Sequence, residues 1–411
     1  MIDEFSLETV LESLIEIDTS NPPGRNYGRI IKLIERQLSS TRCKVELVET
    51  PKKRVKELIS EARGISGERV NLVATLERGK GKTMILNAHA DVVPVGEGWT
   101  YLPFKLTRRG REWYGRGVAD DKGPLAALIL VFNELAKNPD WQGKIILAST
   151  IDEEIGGHTG LSYLLDVGLL KGDYCIVGDG GIENITNVAN GCLRFRVTIK
   201  GRSVHSSMNW LDINAIEKAT KLIKRLAKYN CALHRLKSKI PANPQIGVNW
   251  LTPSITIGVI MGGTKVNIVP NTCVLEIDRR LIPEENKSEA VDSFTNILEE
   301  LSRLDVDLKY DLEIGGFHDS FLTSMENEVV TTLTQTYKDV LARKGHIYGS
   351  LGCLDAAHVA KHKIPVVAFG ASRVESNYHG VDERVRIDDL LNFGKIIEAT
   401  VLRLLKAKEV N

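Results

Sequence analysis

The chain has 411 residues, enough for two domains, and 54 basic against 53 acidic side chains leave a net charge of +1. That balance offers no electrostatic footprint for nucleic acid or an anionic membrane, so neither is expected as a partner. Six scattered cysteines without a CxxC pair, no apolar run of membrane-spanning length and no basic start leading into an apolar stretch point to a soluble cytoplasmic protein. In chain order, residues 8–17 and 29–39 carry apolar side chains at helical spacing. Residues 71–76 and 83–88 read as short strands, 125–137 as a helix, and 144–150 and 174–177 as buried strands. Apolar strands alternating with helices indicate an α/β domain with helices on both faces of its sheet.

From residue 190 the pattern changes. Residues 193–200, 254–261, 272–282 and 306–314 read as strands, with helices at 214–228 and 288–304. The order β-α-β-β-α-β is that of a ferredoxin-like α+β sandwich. The segment 231–253, rich in Pro, Asn and Lys, is an insertion without a period. After 315 the first pattern resumes, with a helix at 326–343, a strand at 365–369 and a helix at 387–406. The expected organisation is a first part at 1–189, an inserted domain at 190–314, and a second part at 315–411.

Three familiar patterns fail. Gly79-Lys80-Gly81-Lys82-Thr83 looks like a phosphate loop, but the required first glycine falls on Leu76, and a hairpin turn is expected there. Gly115-Arg116-Gly117 begins like a dinucleotide fingerprint, but its third glycine position holds Asp120. His358 and His362 are spaced to share a metal on a helix, yet no glutamate stands between them, and a solvated helix face is expected.

Four clusters at strand ends or in loops carry chemistry instead. His89-Ala90-Asp91 follows one strand, with Asp91 able to orient the imidazole. Asp120 and Asp121 sit in a glycine-flanked loop before a helix. Asp152, Glu153 and Glu154 follow a third strand, where three adjacent acids repel and need a counter-charge that a divalent metal supplies. Asp179 follows a fourth strand, and His379 stands far downstream. Each has a structural alternative, but together they provide the imidazole and carboxylate mix of a two-zinc hydrolase.

The stretches HADVVP (89–94), GRGVADDKG (115–123), DEEIGG (152–157), VGDGG (177–181) and HGVDERV (379–385) occur in one order across most of the chain. That combination resembles the two-zinc metallopeptidase family of aminoacylase, acetylornithine deacetylase, succinyl-diaminopimelate desuccinylase and glutamate carboxypeptidase. The resemblance implies a zinc-peptidase-type α/β catalytic domain with a mixed sheet, and an inserted domain acting as lid and dimerisation surface. It implies two divalent ions, zinc first with cobalt or manganese as substitutes. Asp120 would bridge them, His89 and Asp179 would complete one site, and Glu154 and His379 the other. Glu153 would be the general base acting on the shared water, and Asp91 the partner of His89. In the inserted domain, His205 would contact the scissile carbonyl, while Asn267 and Arg280 would bind substrate.

Two departures bear on substrate. Asp179 stands where several deacylases carry Glu, and Cys353-Leu354 replaces polar residues before Asp355, making that wall more apolar. The leading expectation is an amidohydrolase that removes the acyl group from an N-acyl amino acid, of the acetylornithine deacetylase or succinyl-diaminopimelate desuccinylase kind, working as a homodimer. A metallo-dipeptidase or carboxypeptidase acting on short peptides is the alternative. A silent binding protein is disfavoured by the presence of every expected ligand together with Glu153.

Overall fold

The computed structural model describes residues 2–59, 64–244 and 247–406. The chain divides into two compact units: Met1–Val188 with Phe321–Tyr348 and Leu354–Asn411, and Ala189–Ser320 with Gly349–Cys353. The boundary anticipated at 314 falls inside a strand, Lys309–His318, because the last pairing of the inserted sheet continues past it.

The first unit is built on a six-stranded mixed sheet. Its order is Lys44–Glu49, Val70–Arg78, Gly143–Thr150, Thr83–His89, Tyr174–Val177, Val366–Ala368. The first three strands pair antiparallel, and the last four run parallel. Both faces are covered. Met84, Leu86, Ala88, Ile145 and Leu147 point into one large core with the helices Glu4–Ile15, Lys122–Lys137 and Ile387–Leu404. The alternating positions Ile85, Ile146 and Cys175 are buried on the other face. There the short helices Leu161–Asp166 and Ala356–Lys361 pack together. His89 pairs with Thr150 and Asn87 with Val177, so the parallel strands end at nearly the same level. The loops that leave them therefore share one edge, where open α/β sheets place their chemistry.

The connection Gly79–Lys82 is not a hairpin turn. Gly143–Thr150 lies between the two strands that it joins, so the loop passes over a neighbouring strand. A further small sheet, Thr107–Arg109, Glu112–Tyr114 and Arg384–Arg386, ties the chain ahead of Asp120 to the chain after His379.

The second unit is an antiparallel four-stranded sheet in the order Ser254–Gly262, Thr272–Leu281, Gly191–Lys200, Lys309–His318. Its two helices, Ala215–Leu233 and Lys287–Leu304, start at Asn214 and Asn286, whose side chains accept from backbone N–H groups of the first turn. Both cover one face, over Leu193, Phe195, Val197, Ile199, Leu275 and Ile277, with Phe195 and Phe294 stacked at 4.0 Å. This is the ferredoxin-like arrangement. In the 231–253 segment the preceding helix continues to Leu233, and Pro241 pairs antiparallel with Trp250. Among the described residues no helix is long and apolar enough to cross a membrane.

Candidate metal centre and active site

His89 is the last residue of its strand, and its ring is buried. Nδ1 is 3.0 Å from the Asp91 carbonyl oxygen and 3.5 Å from Asp91 Oδ1. Nε2 is 3.0 Å from Asp120 Oδ1. The other oxygen of Asp120 lies 3.1 Å from His379 Nε2, which is also 3.1 Å from Glu154 Oε2. Asp120 thus stands between two imidazoles and gives one oxygen to each. The ligand atoms of His89, Asp120 and Glu154 all lie within 4.8 Å of one another, a grouping able to hold a metal ion.

Charge in this cluster is unbalanced. Burial and the neighbouring Asp120 push Asp179 up to about 7, and the same causes push Glu154 up to about 7. Burial, with Asp355, Glu154 and Asp179 nearby, holds Glu153 well above the usual carboxylate range. His379 is raised to about 10 by its hydrogen bonds to Asp120 and Glu154. Glu154 Oε1 is buried without a hydrogen-bond partner. Carboxylates that repel, imidazoles that gain protons and an orphaned ligand oxygen are the marks of a set of metal donors. The donors, imidazole nitrogen and carboxylate oxygen, fit a divalent ion such as zinc. The His379 side chain is 51% exposed, so the cluster opens to solvent on that side.

The loops that carry these groups are fixed by buried polar contacts. Asp91 accepts from the backbone N–H groups of Glu153 and Glu154, both at 3.2 Å. Its carboxylate therefore orients the glutamates as well as His89. Asp152 adopts a left-handed conformation (φ +65°) and is fully buried. Arg69, Tyr27 and Asn21 donate to it at 2.8–2.9 Å, and Thr159 donates as well. Of the three adjacent acids, this one has its counter-charge in Arg69; only the following two are left for other partners. Glu383 accepts from the N–H groups of Gly117, Ala119 and Asp120 and pairs with buried Arg116 at 2.6 Å. Arg116 also donates to the Gly380 carbonyl at 2.9 Å. One buried ion pair thereby joins the Asp120 loop to the residue beside His379.

Three of the sequence-derived residues lie in the second unit. His205 is exposed, with Nδ1 2.7 Å from Ser207 Oγ, and it bridges to Ile268 through the backbone. The N–H of Ser206 donates to the Asn267 carbonyl, so the two loops run side by side. Asn267 Oδ1 is buried and without a partner. Arg280 is anchored on its own strand by Asp278 at 2.7 Å, and its Nη1 donates to Cys353 Sγ at 3.2 Å.

The profile of Peptidase family M20/M25/M40 matches residues 85–403. The chain belongs to that family. With it, the protein is a metal-dependent hydrolase of amide bonds, and all ten site residues expected from the sequence, from His89 to His379, lie within the matched stretch. A probable succinyl-diaminopimelate desuccinylase of Staphylococcus aureus is 28% identical over 375 residues, 86% of this chain and 90% of that protein. The M20 family metallo-carboxypeptidase of Sulfolobus solfataricus superposes with a TM-score of 0.78 at 20% identity, covering 98% of this chain and 99% of that one. A dinuclear metal-binding M20 peptidase of Bacillus subtilis gives 0.69 at 16% identity, with 98% of each chain covered.

Within this M20 chain the paired histidines do not form a second metal site. His358 is buried and 3.0 Å from the Gly156 carbonyl, while His362 lies 3.1 Å from Asp166. His358 is thus not on a solvated face: it braces the loop that carries Glu153 and Glu154. Sequence reasoning gave no role to Glu383, Arg116 or Arg69. The available signal was weak: acids and arginines next to ligand motifs, with partners far away in the chain. Asp355 was noted only as part of a wall. Both of its oxygens are buried without hydrogen-bond partners, and Oδ1 stands 2.0 Å from where a Cβ of Gly157 would be.

Proposed function

We propose that this M20 hydrolase removes the acyl group from an N-acyl amino acid, in the manner of a desuccinylase or deacetylase, with two divalent ions shared through Asp120. The observation that carries the reading is the position of Asp120, one oxygen to each imidazole, with Glu154 meeting the second of them. His89 and Asp179 would hold one ion, Glu154 and His379 the other, and zinc suits these donors first, with cobalt or manganese as substitutes. When bound, such ions polarise the amide carbonyl and make a water acidic near neutral pH.

The chain's own residues do the rest. Glu153 takes the proton of the attacking water and delivers it to the leaving nitrogen. His205 donates to the oxygen that gains charge as the carbonyl becomes tetrahedral. Arg280 holds the substrate's carboxylate with a bidentate geometry that lysine lacks, and Asn267 donates beside it. The S. aureus relative's name supports a small acylated amino acid as substrate. Asp179, where several deacylases have Glu, favours a second reading, a dipeptidase or carboxypeptidase on the same machinery.

A homodimer through the second unit is part of the proposal. Ser254–Gly262 is an edge strand of its sheet, with Val259, Ile260 and Met261 exposed. Met208, Trp210 and Leu211, just after His205, are exposed as well. An unpaired edge rimmed by apolar side chains suits a second copy, with His205 acting in the partner's site. Cytoplasmic placement is consistent with six cysteines that all stand as thiols.

A hydrolysis panel tests the reading: N-succinyl and N-acetyl amino acids beside dipeptides, with chelator and with added Zn²⁺, Co²⁺ or Mn²⁺. Acyl amino acids should turn over fastest, and chelator should stop the reaction. Turnover of dipeptides alone would shift the protein to the second reading. Mixed refolding of Glu153→Ala with His205→Ala tests the dimer. Recovery of up to roughly a quarter of wild-type activity supports action across subunits, and dead dimers refute it.

A further inference from the structure

Two thiols of the second unit meet beside Arg280. Cys192 lies on the strand Gly191–Lys200, directly opposite Arg280 on Thr272–Leu281. Cys353 arrives from the segment Gly349–Cys353, which is laid along the start of the same strand. Ala189 bridges to Ser350 in parallel, and the Asn190 N–H donates to the Ser350 carbonyl at 3.0 Å. The parallel course brings Cys353 level with Cys192. Arg280 Nη1 donates to Cys353 Sγ at 3.2 Å and Arg280 is the sheet partner of Cys192, so both thiols belong to the surroundings of one guanidinium. Both sulfurs are free thiols, Cys192 buried and Cys353 half-buried.

We propose that Cys192 and Cys353 form a thiol pair that closes to a disulfide under hydroperoxide and so changes the hold of Arg280 on substrate. The second clause rests on the substrate-clamp reading above; the first does not. The neighbouring Cys353 and the Arg280 guanidinium hold the Cys192 thiol below its ordinary range, which favours its thiolate. That thiolate attacks one oxygen of the hydroperoxide. The O–O bond breaks, Cys192 becomes a sulfenic acid, and the other oxygen leaves as hydroxide or alkoxide and is protonated. Cys353, giving up its proton, then attacks the Cys192 sulfur: the S–S bond forms, the S–O bond breaks and water departs. Two thiols and one hydroperoxide give one disulfide, one alcohol or water, and one water. In the disulfide, Cys353 no longer presents a thiol to Arg280, and its sulfur is drawn toward the neighbouring strand. Arg280 is then left with Asp278 as its remaining side-chain partner of the two.

The test uses the metal-loaded full chain carrying Cys231→Ser, which removes the exposed thiol. After hydrogen peroxide and alkylation, peptide mass spectrometry should find Cys192 joined to Cys353, with Cys43, Cys175 and Cys273 alkylated, and dithiothreitol should reverse the link. KM for the carboxylate substrate should rise roughly fivefold in the oxidised form, the size expected when one hydrogen bond of a binding group is altered. Cys192→Ser and Cys353→Ser should each abolish both the link and the peroxide sensitivity. Recovery of both cysteines as alkylated thiols, or in links between chains, overturns the pair. A disulfide without a KM change overturns its coupling to Arg280. If Arg280→Lys also leaves KM untouched, it is the clamp reading that has failed, and the thiol pair stands by its mass.

Discussion

The two units hold their candidate functional residues in opposite ways. In the first, His89, Asp91, Asp152 and Glu383 are buried and multiply hydrogen-bonded, so the geometry around Asp120 is set before anything binds. In the second, His205 is exposed, Asn267 has an unpartnered oxygen, and Arg280 is one-third exposed with a short list of partners. A reacting centre gains from being preorganised, because reorganisation during the reaction raises the barrier. A recognition surface can be held more loosely and take its final geometry from the substrate. Substitutions that break the buried supports of the first unit should therefore cost stability or metal, whereas a change at Arg280 should act through substrate.

The strongest probe of that contrast is the adjacent pair of glutamates. Glu153→Ala should lower kcat by about 10²–10⁴-fold or more while metal content stays near that of the wild type. Glu154→Ala should lose metal, read by elemental analysis after gel filtration. Equal metal loss in both variants would mean that the pair is assigned wrongly. Next in size, Glu383→Gln leaves Arg116 buried without its counter-charge, and should cost about 3–5 kcal/mol in urea unfolding. It should also weaken metal binding, since the Asp120 loop loses one of the two acceptor oxygens that hold its N–H groups. A variant as stable as the wild type would remove the claim that this ion pair organises the centre.

On the other side of the comparison, Arg280→Lys should leave the unfolding midpoint unchanged and reduce kcat/KM by about 1.5–3 kcal/mol in transition-state terms. An amidated substrate that performs as well as the free acid in the wild type would refute the clamp. The smallest effect concerns Asp305, which accepts from Lys218 at 2.8 Å and Lys221 at 2.7 Å and is held down to about 2, chiefly by those ammonium groups working against burial. Its folded value lies below the unfolded one, so its contribution is present above pH 3.8 and is lost as pH falls toward 2. Asp305→Asn should cost about 1 kcal/mol at pH 7, after allowing for solvent around half-exposed Lys221, and nothing near pH 2. A gap between the two urea midpoints that does not change with pH would show that the pair is not acting through charge.

Much of the architecture was legible from the chain. The core strands of the first unit are short apolar runs, and the inserted sheet alternates apolar and polar residues under two amphipathic helices. What escaped was whatever lacked those signals. Lys44–Glu49 is an edge strand with charged residues at three of its positions, and Leu161–Asp166 and Ala356–Lys361 are too short to show a period. In the site, acids and histidines directly after apolar strands were conspicuous, and the structure does bring His89, Asp120, Glu154 and His379 together. The supporting pairs were not conspicuous, since Arg116 and Glu383 stand 267 residues apart and Arg69 and Asp152 stand 83 apart. Nothing local distinguishes such residues from surface charge.

The first unit is interrupted twice, and this sets an order of events during synthesis. Ala189–Ser320 leaves the ribosome as an unbroken stretch with its own sheet and core, able to collapse as soon as it emerges. The larger unit must wait. Helix Ile387–Leu404, which packs on Lys122–Lys137, and His379, which meets Asp120, are made only after the insert. Until then the nascent chain carries a half-open sheet edge at Tyr174–Val177, whose neighbour Val366–Ala368 has not yet been translated. The appended module is therefore finished while its host is still open. A stop ahead of Val366–Ala368 would yield a folded insert on an unclosed sheet, a species exposed to proteases and to edge-to-edge association.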